Sequence, residues 1–461
     1  CVKRTRPQLR RSPQRCQRSN QCFVPFYFIF FPPFFTTRDN VVNTASVTGS
    51  SYHLEHDLTQ RRTHTVQVQT LPMLIGLHSL LSAGAAAVRG GYSVAVIDRA
   101  LGPDNGSIIS SINGTSAFRS NFNAAWLPLA GNAGGGLFIR VTDTNVKSIV
   151  SSASEHANPN VGPLGKGCTP TSSNSSQSHS RIAFVPAVDE GVGLRFAYVD
   201  ETRLVVGVAP SLDPRATFRA LTNTSYLTYQ CNVAHGSQLL RKTFVASTAT
   251  PENPSSWRDQ PLPMFPGNGQ DCGTCVWFPE DTSIDGAGRS NSGSPPPAYA
   301  LATMGGLRGG NITLMKSKDN LRTWSTVGNG NLLSTRPGSW DDRTLSSAAC
   351  PKRLSDGNWL VVYNVDNKWP VDSPKPIPAY GRCALGWAIL SKHNVSVVLA
   401  RAESPLLFAS EPYDTSPAGG VPSVYTDGLR EDEGTDTFIV YAGGQDQVVE
   451  AVRIQVSVPV S

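Results

Sequence analysis

Trp359-Leu360-Val361-Val362-Tyr363-Asn364 follows the turn signal Gly357-Asn358 and mixes aromatic with aliphatic residues, as a buried strand does. Four other stretches read the same way: Gly136-Leu137-Phe138-Ile139-Arg140, Tyr226-Leu227-Thr228-Tyr229-Gln230, Tyr299-Ala300-Leu301-Ala302-Thr303 and Phe438-Ile439-Val440-Tyr441-Ala442-Gly443. They recur at intervals of roughly 60 to 90 residues, and each ends in small or polar residues. A second apolar strand follows most of them, such as Ile312-Thr313-Leu314-Met315 or Gly386-Trp387-Ala388-Ile389-Leu390. In two repeats a turn and a Trp come next, at Pro254-Ser255-Ser256-Trp257 and Leu321-Arg322-Thr323-Trp324. Repeated small sheets set round an axis leave few exposed edges, so the pattern predicts an all-β, five-bladed β-propeller.

The bulk composition agrees. The chain has 461 residues, of which 41 are Gly and 34 Pro, and only 16% are charged. That is turn-rich, and no stretch reads as a long amphipathic helix. Residues 154–180 and 281–297, rich in Ser, Gly and Pro, read as solvated insertions.

The formal charge of +6 is local. Residues 1–72 hold ten of the 40 Lys and Arg but three of the 34 Asp and Glu, so the body is close to neutral. A neutral body gives no footprint for nucleic acid. The apolar run Cys22 to Phe35 is too short to span a bilayer and contains three prolines, so no stable membrane span is expected. Residues 1–72 are expected to be disordered or to stem from an overlong gene model, a genuine N-terminal extension being the alternative. Residues 73–90, opening Met73-Leu74-Ile75-Gly76-Leu77, have the apolar centre and small-residue end of a secretory signal but lack its basic start. The propeller is expected over residues 91–461. Six sequons, at Asn105, Asn113, Asn174, Asn223, Asn311 and Asn394, and six cysteines beyond the leader fit a secreted protein or the lumen of the secretory pathway. Cys272-Gly273-Thr274-Cys275 reads as disulfide partners, because no second CxxC or βαβ context accompanies it. The eight His are scattered and no P-loop or dinucleotide fingerprint occurs, so no metal and no cofactor is expected.

Asp213-Pro214-Arg215 carries the chemistry. A residue before proline is pushed toward extended backbone, which would hold Asp213 at the mouth of a strand. Arg215 would lie on the same face two residues on. An acid beside a cation at a strand end is a candidate acid/base site, and a surface ion pair is the plain alternative.

Taken in order, Asp213-Pro214-Arg215, Phe278-Pro279, Ser317 to Trp324, Gly357 to Tyr363, Gly386 to Leu390, Val398 to Ala402, Glu411-Pro412-Tyr413-Asp414, Gly420 to Val424 and Tyr441 to Asp446 resemble the β-mannoside phosphorylases and β-mannosidases of glycoside hydrolase family 130. The resemblance runs from about residue 115 to 456. It implies an inverting attack on a β-linked mannoside or related glycan, with Asp213 where the family has its general acid. It places Asn123, Arg140 and Asp446 at sugar-binding positions, and Asp414 where the family usually has Glu.

The departures bear on the attacking group. The family's third-blade Arg is replaced by Ala302-Thr303-Met304-Gly305, its Tyr-His-Gly by Tyr363-Asn364-Val365, and a Lys by Trp340-Asp341-Asp342-Arg343. Phosphate needs cations to hold it. Water is therefore the expected attacker, with Asp341 and Asp342 as candidate bases and Arg343 as a stand-in cation. A sugar-binding propeller without turnover, phosphorolysis, and a sialidase-like reading of Ser317 to Trp324 remain as alternatives.

Overall fold

A computed structural model describes residues 91–99, 107–110, 114–118, 120–129, 134–142, 164–165, 168–169, 180–188, 194–206, 211–235, 238–260, 263–264, 275–279, 297–304, 310–317, 321–366, 383–411, 414, 422–444 and 447–459. The expected leader and signal segments, residues 1–72 and 73–90, lie outside them, as does Asp446.

The chain enters through β1 (Ser93–Arg99) and β2 (Ser107–Ile109). Blade A is β3 (Ser120–Pro128), β4 (Gly135–Thr142), β5 (Ser180–Pro186) and β6 (Leu204–Val206). Blade B is β7 (Ser211–Arg219), β8 (Thr224–His235), β9 (Gln238–Thr248) and β10 (Arg258–Asp259). Blade C is β11 (Cys275–Trp277), β12 (Ala298–Met304), β13 (Asn311–Ser317) and β14 (Ser325–Leu333). Blade D is β15 (Thr344–Ser347), β17 (Trp359–Asp366), β18 (Cys383–Leu390) and β19 (Val398–Arg401), with the short strands β16 (Lys352–Arg353) and β20 (Leu407–Phe408) at its sides. Blade E is β21 (Val424–Glu431), β22 (Thr437–Gly444) and β23 (Val448–Ser457), completed on its outside by β1.

This is the expected five-bladed β-propeller. The five recurrent stretches are the second strands of the five blades, β4, β8, β12, β17 and β22. The first strand of each blade faces the axis: β21, β3, β7 and β11 pack against one another in turn. The ring closes through β1, which pairs antiparallel with β23 and ties the start of the described chain to its end.

The strand pattern follows from this stacking. A middle strand is covered on both faces by the neighbouring blades, so β4, β18 and β22 are buried at every residue. Their sequences are continuous apolar runs with little alternation. The outermost β14 is largely exposed and polar, as an edge strand should be. Aromatic pairs fill the seams between blades: Trp126 with Tyr441 between A and E, Phe138 with Trp257 between A and B, Tyr226 with Trp277 between B and C, and Phe278 with Trp359 between C and D. Centroid separations of 4.7 to 5.6 Å put each pair in the attractive range.

Cys168 and Cys231 form a disulfide that ties the long excursion after β4 to β8 of blade B. Cys350 is not in a disulfide. It is a thiol that donates to the Trp277 carbonyl, and burial pushes its pKa up to about 11. Cys272 is outside the described residues, so the CxxC pairing is too.

Candidate active site

Three innermost strands carry the same irregularity. The β3–β4 register slips between Phe122 and Ala125, the β7–β8 register between Leu212 and Arg215, and the β21–β22 register between Thr426 and Gly428. These are β-bulges, which break strict alternation and re-aim a side chain. The residues at the bulges include Asn123, Asp213 and Asp427. Asn123 has φ 51° and Asp213 φ 45°, left-handed values that short polar side chains adopt more readily than others. The extended conformation expected for the pre-proline Asp213 is thereby corrected. The bulge needs a residue outside the pleat, and Asp213 supplies it.

Blades A, B and E come together at these bulges. One Arg140 nitrogen (Nη1), from β4, lies 3.5 Å from the Asn123 Oδ1 and 3.4 Å from the Asp213 Oδ1. The guanidinium also covers the Phe122 ring, 4.6 Å from its centroid. Arg140 and Asn123 are buried, whereas the Asp213 side chain keeps 19% of its surface open. A ligand can therefore reach the acid. Asn123, Arg140 and Asp213, named from sequence, form one cluster.

Arg215 is placed differently from expectation. Among the described residues its ion pair is with Asp427, at 2.5 Å, and not with Asp213. It donates to the carbonyls of Pro214 (3.1 Å) and Ser347 (3.2 and 3.3 Å) and to the Tyr425 hydroxyl (3.3 Å). The bulge rotates Arg215 toward β15 and β21 while Asp213 turns toward β4. Burial pushes the Tyr425 hydroxyl well above its usual range, more strongly than the nearby Arg215 charge lowers it.

Asp341 is held in another network. Arg336 donates to it at 2.9 Å, Arg401 at 2.6 Å and the Tyr363 hydroxyl at 3.2 Å. Arg401 lies on β19, the outermost main strand of blade D, Tyr363 lies on β17, and the Asp341 carboxylate between them is fully buried. Asp414 is likewise engaged. Arg99 of β1 reaches it at 2.6 Å, and the Ser410 and Glu411 amides each donate at 2.9 Å. Burial raises the Asp414 pKa, against the lowering effect of Arg99 and those amides. Asn364 is buried with both ends of its amide on the Thr426 backbone, at 2.8 and 2.9 Å, joining β17 to β21. Asp341 thus ties the connection before β15 to blade D, Asp414 is tied to β1 and Asn364 to β21.

Asp342 and Arg343 precede β15, an innermost strand, and sit 3.5 Å apart. Asp342 retains 25% of its side-chain surface. Each blade is a meander that begins at the axis, so the start of β15 falls at the same end of the ring as the bulges of β3, β7 and β21.

Asp427 was not singled out from sequence. Its only linear signal is the Asp-Gly pair, which reads as a turn. The parallel among three bulges becomes visible only when the strands are stacked.

No protein-family model matches the chain, and no curated protein matches it. Solved structures do. A β-1,2-mannobiose phosphorylase from Listeria innocua, determined with β-1,2-mannobiose, matches with a TM-score of 0.51 and 17% identity over 76% of this chain and 95% of that one. A structure from a study of GH130 mannoside phosphorylases and of glycoside hydrolases that target β-1,2 mannosidic linkages in Candida mannan matches at 0.51 and 16%, over 76% and 92%. The likeness is one of fold. A glycosyl hydrolase from Bacteroides ovatus has the same architecture, with a TM-score of 0.50 and 16% identity over 76% of this chain and 92% of that one. In this propeller the Asn123–Arg140–Asp213 cluster lies where blades A, B and E meet. Among the described residues no group of three His, Cys, Asp or Glu could hold a metal ion, and no helix is long and apolar enough to cross a membrane.

Proposed function

We propose that this protein is an inverting glycoside hydrolase acting on β-mannosides or related oligosaccharides, with Asp213 as the general acid. The observation that carries the reading is the accessible Asp213 carboxyl at an axial bulge, beside Arg140 and Asn123 from the neighbouring blade. An inverting glycosidase needs one carboxyl to protonate the leaving oxygen and an opposed base to activate water. Arg140 and Asn123 are suited to bind sugar hydroxyls and fix the ring against the acid. Asp342, a partly exposed carboxylate just before β15, is the proposed base, because Asp341 is held by Arg336 and Arg401.

Hydrolysis is preferred to phosphorolysis on the groups that would meet phosphate. Thr303 accepts from the Ser347 amide at 3.0 Å, and Asn364 is bound to Thr426. Arg343 is the remaining proposed cation, and it already faces Asp342. Secretion, from the sequons and the Cys168–Cys231 disulfide, fits a substrate outside the cell.

One observation favours a second reading. The Arg140–Asp213 pair suits a carboxylate that accepts from sugar hydroxyls, which is what a binding propeller without turnover would need. Anomer-resolved NMR of a β-mannan oligosaccharide digest separates the two. The hydrolase releases sugar of inverted anomeric configuration, and Asp213→Asn stops the release while the circular dichroism spectrum is unchanged. Saturable binding with no product in the unmodified protein would establish the second reading.

A further inference from the structure

We propose that Asp427 is a positioning residue of this site, acting on Asp213 through Arg215. The inference deepens the hydrolase reading and rests on it for the task assigned to Asp213. Arg215 is 1% exposed at its side chain and sits two residues after the acid. A buried guanidinium so close would favour the ionised carboxyl and rob the acid of its proton. Asp427, fully buried on β21, supplies the opposing charge at 2.5 Å. Other Arg215 donors are held by the Ser347 and Pro214 carbonyls and the Tyr425 hydroxyl, so the guanidinium is fixed toward blades D and E.

Among the described residues, Arg140 of β4, Arg215 of its own strand, Tyr425 of β21 and the neutral Asn123 of β3 stand near Asp213, and Asp427 of β21 pairs with Arg215. Among the described residues Asp213 therefore has two cations near it, Arg140 and Arg215, the second of them paired with Asp427. Without Asp427, Arg215 would lose its ion-pair partner among the described residues. The three bulges thus divide the work: Asn123 helps to hold Arg140, Asp213 presents the acid, and Asp427 balances Arg215.

The test is a carboxyl-carbon NMR titration of the full chain labelled at aspartate, with the Asp213 signal assigned by its loss in Asp213→Asn. In Asp427→Asn the Asp213 midpoint is expected to fall by about one pH unit or more. The basic limb of the kcat/KM profile on the mannan oligosaccharide is expected to move down with it. Asp427→Glu should restore much of both. Should Asp427→Asn not fold, the pair Arg215→Gln and Asp427→Asn removes both charges and leaves neither buried alone. That double variant should titrate near the unmodified protein, and Arg215→Gln alone should titrate higher. An Asp213 midpoint that does not move in folded Asp427→Asn, or does not rise in Arg215→Gln, overturns the proposal. The titration needs no turnover. If the unmodified protein releases no product yet the midpoints move, the hydrolase reading fails and the charge coupling stands.

Discussion

Arg140 Nη1 lies 3.4 Å from Asp213 Oδ1, although the two residues are 73 positions apart and belong to different blades. The contact exists because β4 of blade A packs against β7, the innermost strand of blade B. Asp213→Asn keeps the shape but removes the transferable proton. Its kcat on a β-mannan oligosaccharide is expected to fall by about 10²- to 10⁴-fold. Arg140→Met loses charge-assisted hydrogen bonding, and glycan affinity measured by calorimetry should weaken by about tenfold or more.

Asp341 gives the opposite signature. Its carboxylate is buried between Arg336 and Arg401. Asp341→Asn takes this anion from Arg401 and leaves Arg336 with the exposed Glu403, at a cost of about 3 kcal/mol in urea unfolding. Soluble variant should keep the pH profile of the unmodified protein. A changed profile would mean that Asp341 takes part in the chemistry.

Gly428 is set where β21 passes the bulge of β3. A Cβ there would stand 2.5 Å from the Ala124 carbonyl oxygen and 2.9 Å from the Trp126 nitrogen. Gly428→Ala must push blade E from blade A, costing about 1–3 kcal/mol. Because Asn123 precedes Ala124, glycan affinity should fall with thermal stability.

The Cys168–Cys231 disulfide spans a sequence separation of 63. The chain-entropy model assigns such a loop about 4 kcal/mol. Reduction should lower Tm, and Cys168→Ser with Cys231→Ser should reproduce the shift without reductant.

Tyr92 and Asn358 both donate to the Asp356 carboxylate, fastening the chain just before β1 to a turn of blade D. Burial raises the Asp356 pKa, but these bonds lower it further, and the net shift is downward. A depressed carboxyl stabilises above its unfolded value and loses that contribution as pH falls through the folded one. The stability gap between the protein and Asp356→Asn should be present at neutral pH and close toward pH 3 in chemical denaturation. A gap that stays constant with pH would remove Asp356 from this account.

The blades were legible because burial on both faces forces middle strands into long apolar runs, and Trp359 to Asn364 and its four counterparts are such runs. Asn123, Arg140 and Asp213 could be named because the resemblance places them in order along the chain. What could not be read was orientation. Asp414 and Asn364 have the right types for sugar contacts, yet Arg99 and the Thr426 backbone claim them.

The amino-acid sequence alone determined the five recurring apolar strands, and radial stacking is one way to hide so many strands with only short, protected edges. Which carboxylate meets which cation was decided by tertiary structure. Asp213 turns to Arg140 and Arg215 turns to Asp427 because a one-residue bulge at the axis overrides the two-residue period of a strand. That override arises from the packing of three blades against one another, which neighbouring residues in the chain do not encode.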